Sequence, residues 1–460
     1  MKKYSHLLPN ELKVEDMMKI LGINKIESLY EDVPQQSLLK ELPKIPGPFS
    51  QMEIERLTKN VLKNVSVHPD SPCFLGGGIW PHYIPPAVDA ISSRSEFYTS
   101  YTPYQPEVSQ GILQALFEYQ SMICDLTHMD AANASMYDWA TAAAEAARMA
   151  IRVTKRKDLL VAMNAGYERR RVIQTYLEPI ASRILQIPYD KRTGRIDMKE
   201  ADRLIKSADV AAVYVEQPNF FGAIETSIKE ISELVHSRAG LLIVGVEPTS
   251  LGLLKPPGDY GADIVVGEGQ PLGIPMNYGG PSLGIFAVKG DISFIRQMPG
   301  RIIGITTEKK SERKGYVMVL QSREQHIRRE KATSNICTNQ ALMAVRAAAY
   351  MALLGPLGFR RLSQVITSNS HYTAKLIRET KEYEAPYFES EFYSDFTILP
   401  TTKKTRGRAL YEYLTKRGVN AALPLDWFYE ELKDVSMISV TEVHLKEDVN
   451  RLLNCLVEAE

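Results

Sequence analysis

The densest run of chemically distinctive side chains lies between Cys73 and Gln110. It holds Gly76-Gly77-Gly78, then Pro81-His82-Tyr83-Ile84-Pro85-Pro86, then Tyr98-Thr99-Ser100-Tyr101-Thr102-Pro103-Tyr104-Gln105-Pro106-Glu107. Proline fixes φ and removes a donor, so the last stretch suits neither a helix interior nor a central strand. Its phenols join an apolar ring to one polar atom that needs a partner when buried. Rigid loops of this kind suit the positioning of a ligand or a neighbouring chain. A structural loop stitched by its own hydrogen bonds satisfies the same composition, and both readings stand.

A second polar cluster, Ser334, Asn335, Thr338 and Asn339, lies just ahead of an apolar helical pattern. It could meet a ligand, and helix capping is the simpler expectation. A third stretch, Arg323-Glu324-Gln325-His326-Ile327-Arg328-Arg329, is the most basic. A guanidinium there could grip a carboxylate with two prongs, but a solvated mixed-charge face is the expectation. Glu308-Lys309-Lys310 reads as an exposed loop without a role. Gly76-Gly77-Gly78 has neither a strand before it nor a helix after it, so it is no dinucleotide fingerprint.

Several classes are disfavoured by composition. Cys73, Cys124, Cys337 and Cys455 are scattered, which points to reduced thiols and to no metal site. Basic and acidic residues number 55 each, so no global field gathers nucleic acid or an anionic membrane. Met1 to Asn10 lacks the apolar core of a signal peptide. No run of about 18 apolar residues occurs, so no membrane span is expected. A cytoplasmic protein is the expectation.

The chain's 460 residues imply about two or three domains. Residues 8–60 read as short helices broken by prolines, with Asn10 able to cap a helix carrying Leu12, Val14, Met17, Met18 and Leu21. Leu42-Pro43-Lys44-Ile45-Pro46-Gly47-Pro48 reads as an extended strap, which suits an arm that wraps a partner or an exposed linker. From 110 to 290, helices Gly111–Leu126, Thr141–Val153, Lys199–Ser207 and Ile228–Ser237 alternate with apolar strands. These are Leu159–Met163, Val210–Val215, Leu241–Val246, Ile264–Val266 and Gly284–Val288. That alternation predicts a mostly parallel sheet covered on both faces. Beyond 330, helices Asn339–Leu353, Leu357–Thr380 and Arg406–Lys416 accompany short strands. The expected divisions are an N-terminal helical arm and strap over 1–60, a large α/β domain over 61–330 and a small α+β domain over 331–460.

The Tyr98–Gln110 block, followed by Glu118-Tyr119-Gln120-Ser121-Met122-Ile123-Cys124-Asp125-Leu126-Thr127 and Asn133-Ala134-Ser135, closely resembles the N-terminal half of glycine cleavage P-proteins. Glu216-Gln217-Pro218-Asn219-Phe220-Phe221-Gly222 continues the series, with Gly261-Ala262-Asp263, Gln270-Pro271-Leu272-Gly273-Ile274-Pro275 and Gly279-Gly280-Pro281. Gly300-Arg301-Ile302-Ile303-Gly304 and Thr333–Gln340 complete it. The resemblance covers nearly the whole chain. It implies an aminotransferase-like large domain, fold type I of the pyridoxal-phosphate enzymes, with a sheet of the seven-stranded type.

The same resemblance defines what is missing. A catalytic half carries a Schiff-base lysine before its glycine run, and alignment puts Gln270 there. It carries an aspartate on the strand that here reads Leu241–Val246, where Glu247 is the nearest acid. Its phosphate loop corresponds to Asp138–Glu145, in which Thr141 could bind phosphate or cap a helix. Lys289, after the strand Gly284–Val288, and Lys331, before Ala332-Thr333-Ser334, could serve as Schiff-base lysines by position alone, but neither lies in the right motif. The resemblance thus implies a non-catalytic subunit of a split P-protein, inactive alone and without its own cofactor. Its partner, the lysine-bearing subunit 2, would hold pyridoxal phosphate in an α2β2 heterotetramer. The complex would decarboxylate glycine and pass the aminomethyl group to the lipoyl arm of the H-protein. Tyr98, Tyr101, Thr102, Tyr104, Gln105, Glu107, Ser334, Asn335 and Thr338 are the candidates to complete the partner's site. A self-sufficient pyridoxal decarboxylase or lyase, or a purely structural or regulatory subunit, are the alternatives.

Overall fold

The computed structural model describes all residues except 1–13, 40, 42–43, 64–70, 181, 291 and 310. The chain divides into two units, Met1–Val65 and Ser66–Glu460. In the first, helix Val14–Leu21 and the single turns Ile26–Tyr30 and Gln35–Ser37 precede helix Gln51–Leu62. That helix opens with a reciprocal capping box: Glu53 N donates to Ser50 Oγ at 3.4 Å and Ser50 N donates to the Glu53 carboxylate at 2.8 Å. Neither helix buries a residue, and Met52, Ile54, Leu57 and Val61 all stand exposed. Asn10, Leu12, Leu42 and Pro43 lie outside the described residues. Lys44–Pro48 has no regular structure.

The second unit is built on a seven-stranded sheet. Its strands are β1 (Ala131–Ala132), β2 (Asp158–Ala162), β3 (Arg183–Ile187), β4 (Val210–Gln217), β5 (Leu241–Val246), β6 (Ile264–Glu268) and β7 (Gly284–Val288). The order is β1-β7-β6-β5-β4-β2-β3. Only β7 runs against its neighbours; the pairs from β6 to β3 are parallel. The expected mostly parallel sheet is therefore present.

Alternation sorts the side chains into two cores. Val213, Val215, Val244 and Val265 face helices Gln110–Thr127, Met198–Ser207 and Ile228–Ser237. Ala212, Tyr214, Ile243 and Val266 face helix Trp139–Thr154. That helix buries seven alanines, among them Ala142, Ala143, Ala146 and Ala147. Side chains this small let its axis approach the sheet closely.

Strands β8 (Ile302–Thr307) and β9 (Lys314–Val319) form a separate antiparallel hairpin. It was not expected from the sequence. Two amides clasp it to helix Gln110–Thr127. Gln120 exchanges hydrogen bonds with the backbone of Ile303 at 2.9 Å each way. Gln110 does the same with Tyr316, at 2.8 and 2.9 Å. Helix Ala341–Glu379 follows and is broken at Gly355, whose φ of 61° and ψ of 177° precede Pro356. This accounts for the two helices read from the sequence. Among the described residues it is the one helix long and apolar enough to cross a membrane. Ala344, Val345, Ala347 and Phe359 on it belong to the main core. The chain closes with β10 (Tyr383–Glu384), β11 (Asp395–Pro400), β12 (Leu423–Pro424) and β13 (Ser436–Ser439), in the order β10-β11-β13-β12. Phe74, Ile398, Leu410, Ile438 and Leu452 form their core.

Candidate functional site

In open α/β sheets the ligand crevice lies beyond the carboxyl ends of the strands. Here that region, past β4, β5 and β6, is filled by the chain's own side chains. Gln270 lies two residues beyond β6 and is 2% exposed. Its amide oxygen accepts from Trp80 N at 3.0 Å, and its nitrogen donates to Trp80 O at 3.0 Å and Ile274 O at 2.8 Å. The amide is wholly committed to holding two segments together.

Helix Trp139–Thr154 points its N-terminus at the same place. Such an end attracts anions through its free N–H groups and its dipole. Two carboxylates already satisfy it. Asp138 accepts from Thr141 N at 2.7 Å, and Thr141 Oγ1 accepts in return from Asp138 N, so Thr141 belongs to a cap. The Glu268 carboxylate accepts from Trp139 N at 3.3 Å, Gln270 N at 3.0 Å and Leu283 N at 3.1 Å.

The Trp139 ring covers Gly245 of β5, where a Cβ would come within 2.9 Å of the indole. The Arg169 guanidinium lies 4.0 Å from the centroid of the same ring. Arg169 is held by Glu216 through bonds of 2.6 and 2.9 Å, and Glu216 also accepts from the Tyr214 hydroxyl at 2.7 Å. The two side chains are 5% and 1% exposed. What remains is a cavity of about 20 Å³ lined by Trp80, Trp139, Arg169, Glu216 and Asp395. That is space for a water molecule. These residues do not fit pyridoxal phosphate: no lysine, no free phosphate donors and no volume are present. Glu247 lies one residue past β5, as expected, and its buried carboxylate accepts from Thr249 N at 2.9 Å and Ser250 N at 2.8 Å.

The outward-facing candidates are arranged differently. Tyr98, Tyr101 and Tyr104 are 70%, 71% and 46% exposed. The Tyr101 hydroxyl lies 2.6 Å from Thr338 Oγ1, so the two polar stretches meet. Tyr104 accepts from Arg301 Nη2 at 3.1 Å and meets His326 edge-on at 5.8 Å. Asn335 accepts from Gln325 Nε2 at 3.0 Å, Asn339 donates to Ser135 O at 3.0 Å and Ser334 Oγ accepts from Ile336 N at 3.4 Å. Helix Ala341–Glu379 has Gln340 at its N-cap without a side-chain cap. The capping expectation for this stretch therefore does not hold; Asn335, Thr338 and Asn339 bind neighbouring segments, and Ser334 closes a turn within its own. Thr102 is half-buried and contributes its carbonyl to Tyr104 N at 2.8 Å. Gln105 and Glu107 are exposed.

The basic stretch splits. Arg328 and Arg329 are exposed, as expected, but Arg323 is buried, and its guanidinium donates to the carbonyls of Met298 and Gly300. A long side chain can serve as a backbone staple where the local sequence suggests only a charged face. Lys289 and Lys331 are both exposed. Arg301 went unremarked as a site residue; its place beside Tyr104 spans 197 residues and no local pattern encodes it.

Glu145 lies beneath the Thr333–Gln340 stretch, 1% exposed, with Oε2 unpartnered. Burial pushes its carboxyl up to about 7 from 4.5, against Arg152, Arg148 and the Asn335 backbone. Folding thus takes up a proton here. The stabilisation it brings is complete below pH 4.5 and is lost as pH rises through 7. Glu145→Gln is expected to flatten the fall in unfolding free energy between pH 5 and pH 8 by on the order of 2 kcal/mol. Denaturant titrations of parent and variant at both pH values measure it; parallel curves would mean the carboxylate is ionised in the fold.

The profile of the glycine cleavage system P-protein family matches residues 4–456. The chain is 45% identical over 461 aligned residues to a protein of Saccharolobus solfataricus named "Probable glycine dehydrogenase (decarboxylating) subunit 1", with 99% of this chain and 98% of that one covered. It is similar to a crystal structure of a glycine decarboxylase (P-protein) of the glycine cleavage system in inhibitor-bound form, at a TM-score of 0.86 and 37% identity, covering 99% of each chain. An alanine–glyoxylate aminotransferase from Nostoc sp. is similar in fold at a TM-score of 0.59 and 17% identity, over 86% of this chain and 98% of that one.

Proposed function

This chain belongs to the glycine cleavage system P-protein family, and on that premise we propose that it is the non-catalytic subunit of a split glycine dehydrogenase (decarboxylating). It pairs with a lysine-bearing subunit 2 in an α2β2 complex in the cytoplasm. Its face around Tyr101, Tyr104 and Thr338 completes the partner's active site. The observation that carries this reading is a contrast within one molecule. The strand-end crevice is closed by Gln270, Glu268, Trp139 and Arg169, while an ordered set of hydroxyls stands in the open.

Pyridoxal phosphate, held by the partner, would supply the electron sink for loss of carbon dioxide from glycine. This chain's residues bind and orient. The hydroxyls of Tyr98, Tyr101, Tyr104 and Thr338 are neutral donors, which can position a small zwitterion without shifting the charge of the pocket. Their rings exclude water from a site that another chain lines. Thr102, Gln105, Glu107, Ser334 and Asn335 frame this wall. The aminomethyl product leaves on the lipoyl arm of the H-protein. The exposed apolar residues of helix Gln51–Leu62 suit an arm laid on subunit 2.

The test uses the purified chain alone and then mixed with subunit 2. Pyridoxal phosphate is added, the visible band of bound cofactor is recorded, and glycine-dependent exchange of labelled carbon dioxide is assayed. Neither signal alone, and both in the mixture beyond what subunit 2 achieves by itself, is the expected result. A borohydride-reducible cofactor on this chain alone would overturn the proposal and favour a self-sufficient enzyme.

A further inference from the structure

The backbone at Arg301 is anchored by hydrogen bonds. It ends a turn in which four consecutive carbonyls are all hydrogen-bonded. Met298 O and Gly300 O accept from Arg323, Pro299 O accepts from Asn133 Nδ2 at 3.1 Å, and Arg301 O accepts from Ala134 N at 2.8 Å. Gly300 has a φ of +72°, and a Cβ there would come within 2.8 Å of Asn133 Nδ2. The hairpin that follows is clasped by Gln120 and Gln110 on the helix that starts just after the tyrosine block. Arg301 and the tyrosine loop are thereby fixed to the same helix.

The side chain has one directional task. It is 6% exposed, its Nε lies 3.7 Å from Glu324, and its Nη2 donates to the Tyr104 hydroxyl at 3.1 Å. Glu324 balances its charge and also lies 3.8 Å from His326 Nδ1. A guanidinium has donors only, so Tyr104 must accept from it. The phenol then has its own hydrogen left to give. Among the described residues no acceptor takes it, and the Tyr104 side chain is 46% exposed.

We propose that Arg301 is a positioning residue, which fixes Tyr104 as an outward hydrogen-bond donor to a carboxylate-bearing substrate bound in the neighbouring subunit. This rests on the reading that the tyrosine face completes that subunit's site. Arg301 itself touches neither substrate nor cofactor.

The assembled complex tests it as a double-mutant cycle. Tyr104→Phe is expected to lower kcat/KM for glycine exchange about tenfold, and Arg301→Gln by a similar factor. In the Tyr104→Phe background, Arg301→Gln should cost less than about twofold more, because its route to the substrate is already gone. Arg301→Lys, which keeps the charge and a hydrogen-bond-donating group, should recover part of the loss. In the isolated chain, the Tyr104 Cζ resonance of ¹³C-labelled protein should move on Arg301→Gln and return towards its place on Arg301→Lys. Equal losses in both backgrounds, or an unmoved resonance, would overturn the proposal while leaving the tyrosine face in its role. Silence of Tyr98→Phe, Tyr101→Phe and Tyr104→Phe alike would instead overturn the reading beneath it.

Discussion

Replacing Tyr101 and Tyr104 together by phenylalanine is expected to reduce glycine-dependent exchange in the assembled complex by about 100-fold, with assembly unchanged. Phenylalanine keeps both rings and so keeps their packing and their exclusion of water. It deletes only the hydroxyls. Tyr101 loses its 2.6 Å bond to Thr338, and Tyr104 loses its bond to Arg301. Tyr101 is 71% and Tyr104 46% exposed, and phenylalanine keeps the contact of the Tyr104 ring with His326, so the chain's own stability should change little. The loss should fall mainly on kcat if the hydroxyls act on the reacting geometry. Exchange assays beside size-exclusion chromatography read both quantities. A change of less than about twofold would mark the loop as a structural stitch.

The second large effect concerns stability. Arg169→Met should cost the folded chain about 3–5 kcal/mol, because Glu216 stays behind as a charge without its counterion. Glu216 is 1% exposed, and the Tyr214 hydroxyl and Gly166 N cannot replace a full positive charge. Adding Glu216→Gln should return part of the loss. Arg183→Met gives the contrast. Arg183 also grips a carboxylate with two prongs, on Asp158, but its side chain is 62% exposed. The Asp158 side chain is only 6% exposed, but water screens the guanidinium and Asp209 N still donates to the carboxylate at 2.8 Å, so removing Arg183 should cost less than removing Arg169. Denaturant titrations of the variants compare the two directly; equal costs would mean that burial does not govern the first pair.

Apolar runs marked every central strand, though β2, β4 and β6 span Asp158–Ala162, Val210–Gln217 and Ile264–Glu268 rather than Leu159–Met163, Val210–Val215 and Ile264–Val266. The predicted bounds of β5, β7 and helix Ile228–Ser237 coincide with the observed ones. Strand β3 was missed because it is an edge strand whose residues Arg183 to Gln186 are exposed or half-exposed, so no apolar run marks it. Hairpin β8–β9 was missed because its place depends on Gln120, 183 residues away. The crevice shows the same limit. Gln270 could be placed by resemblance, and Thr141 was left between two roles. That Trp139 stacks under Arg169 could not be read, because the pair is 30 positions apart and is locked by Glu216 on a third element. Arg323 looked like a surface charge for the same reason: its acceptors are backbone carbonyls, which no side-chain pattern reveals.

The closed crevice is also hard to reopen one residue at a time. A lysine at 270 would enter a site where the native amide serves three backbone groups. An aspartate at 245 would drive its Cβ into the Trp139 indole. Shrinking Trp139 alone would expose Arg169 to a void, and removing Glu268 alone would strip acceptors from Trp139 N, Gln270 N and Leu283 N. Each of these single changes is expected to destabilise the packing it enters. Reopening this crevice would therefore take changes at several of these positions together.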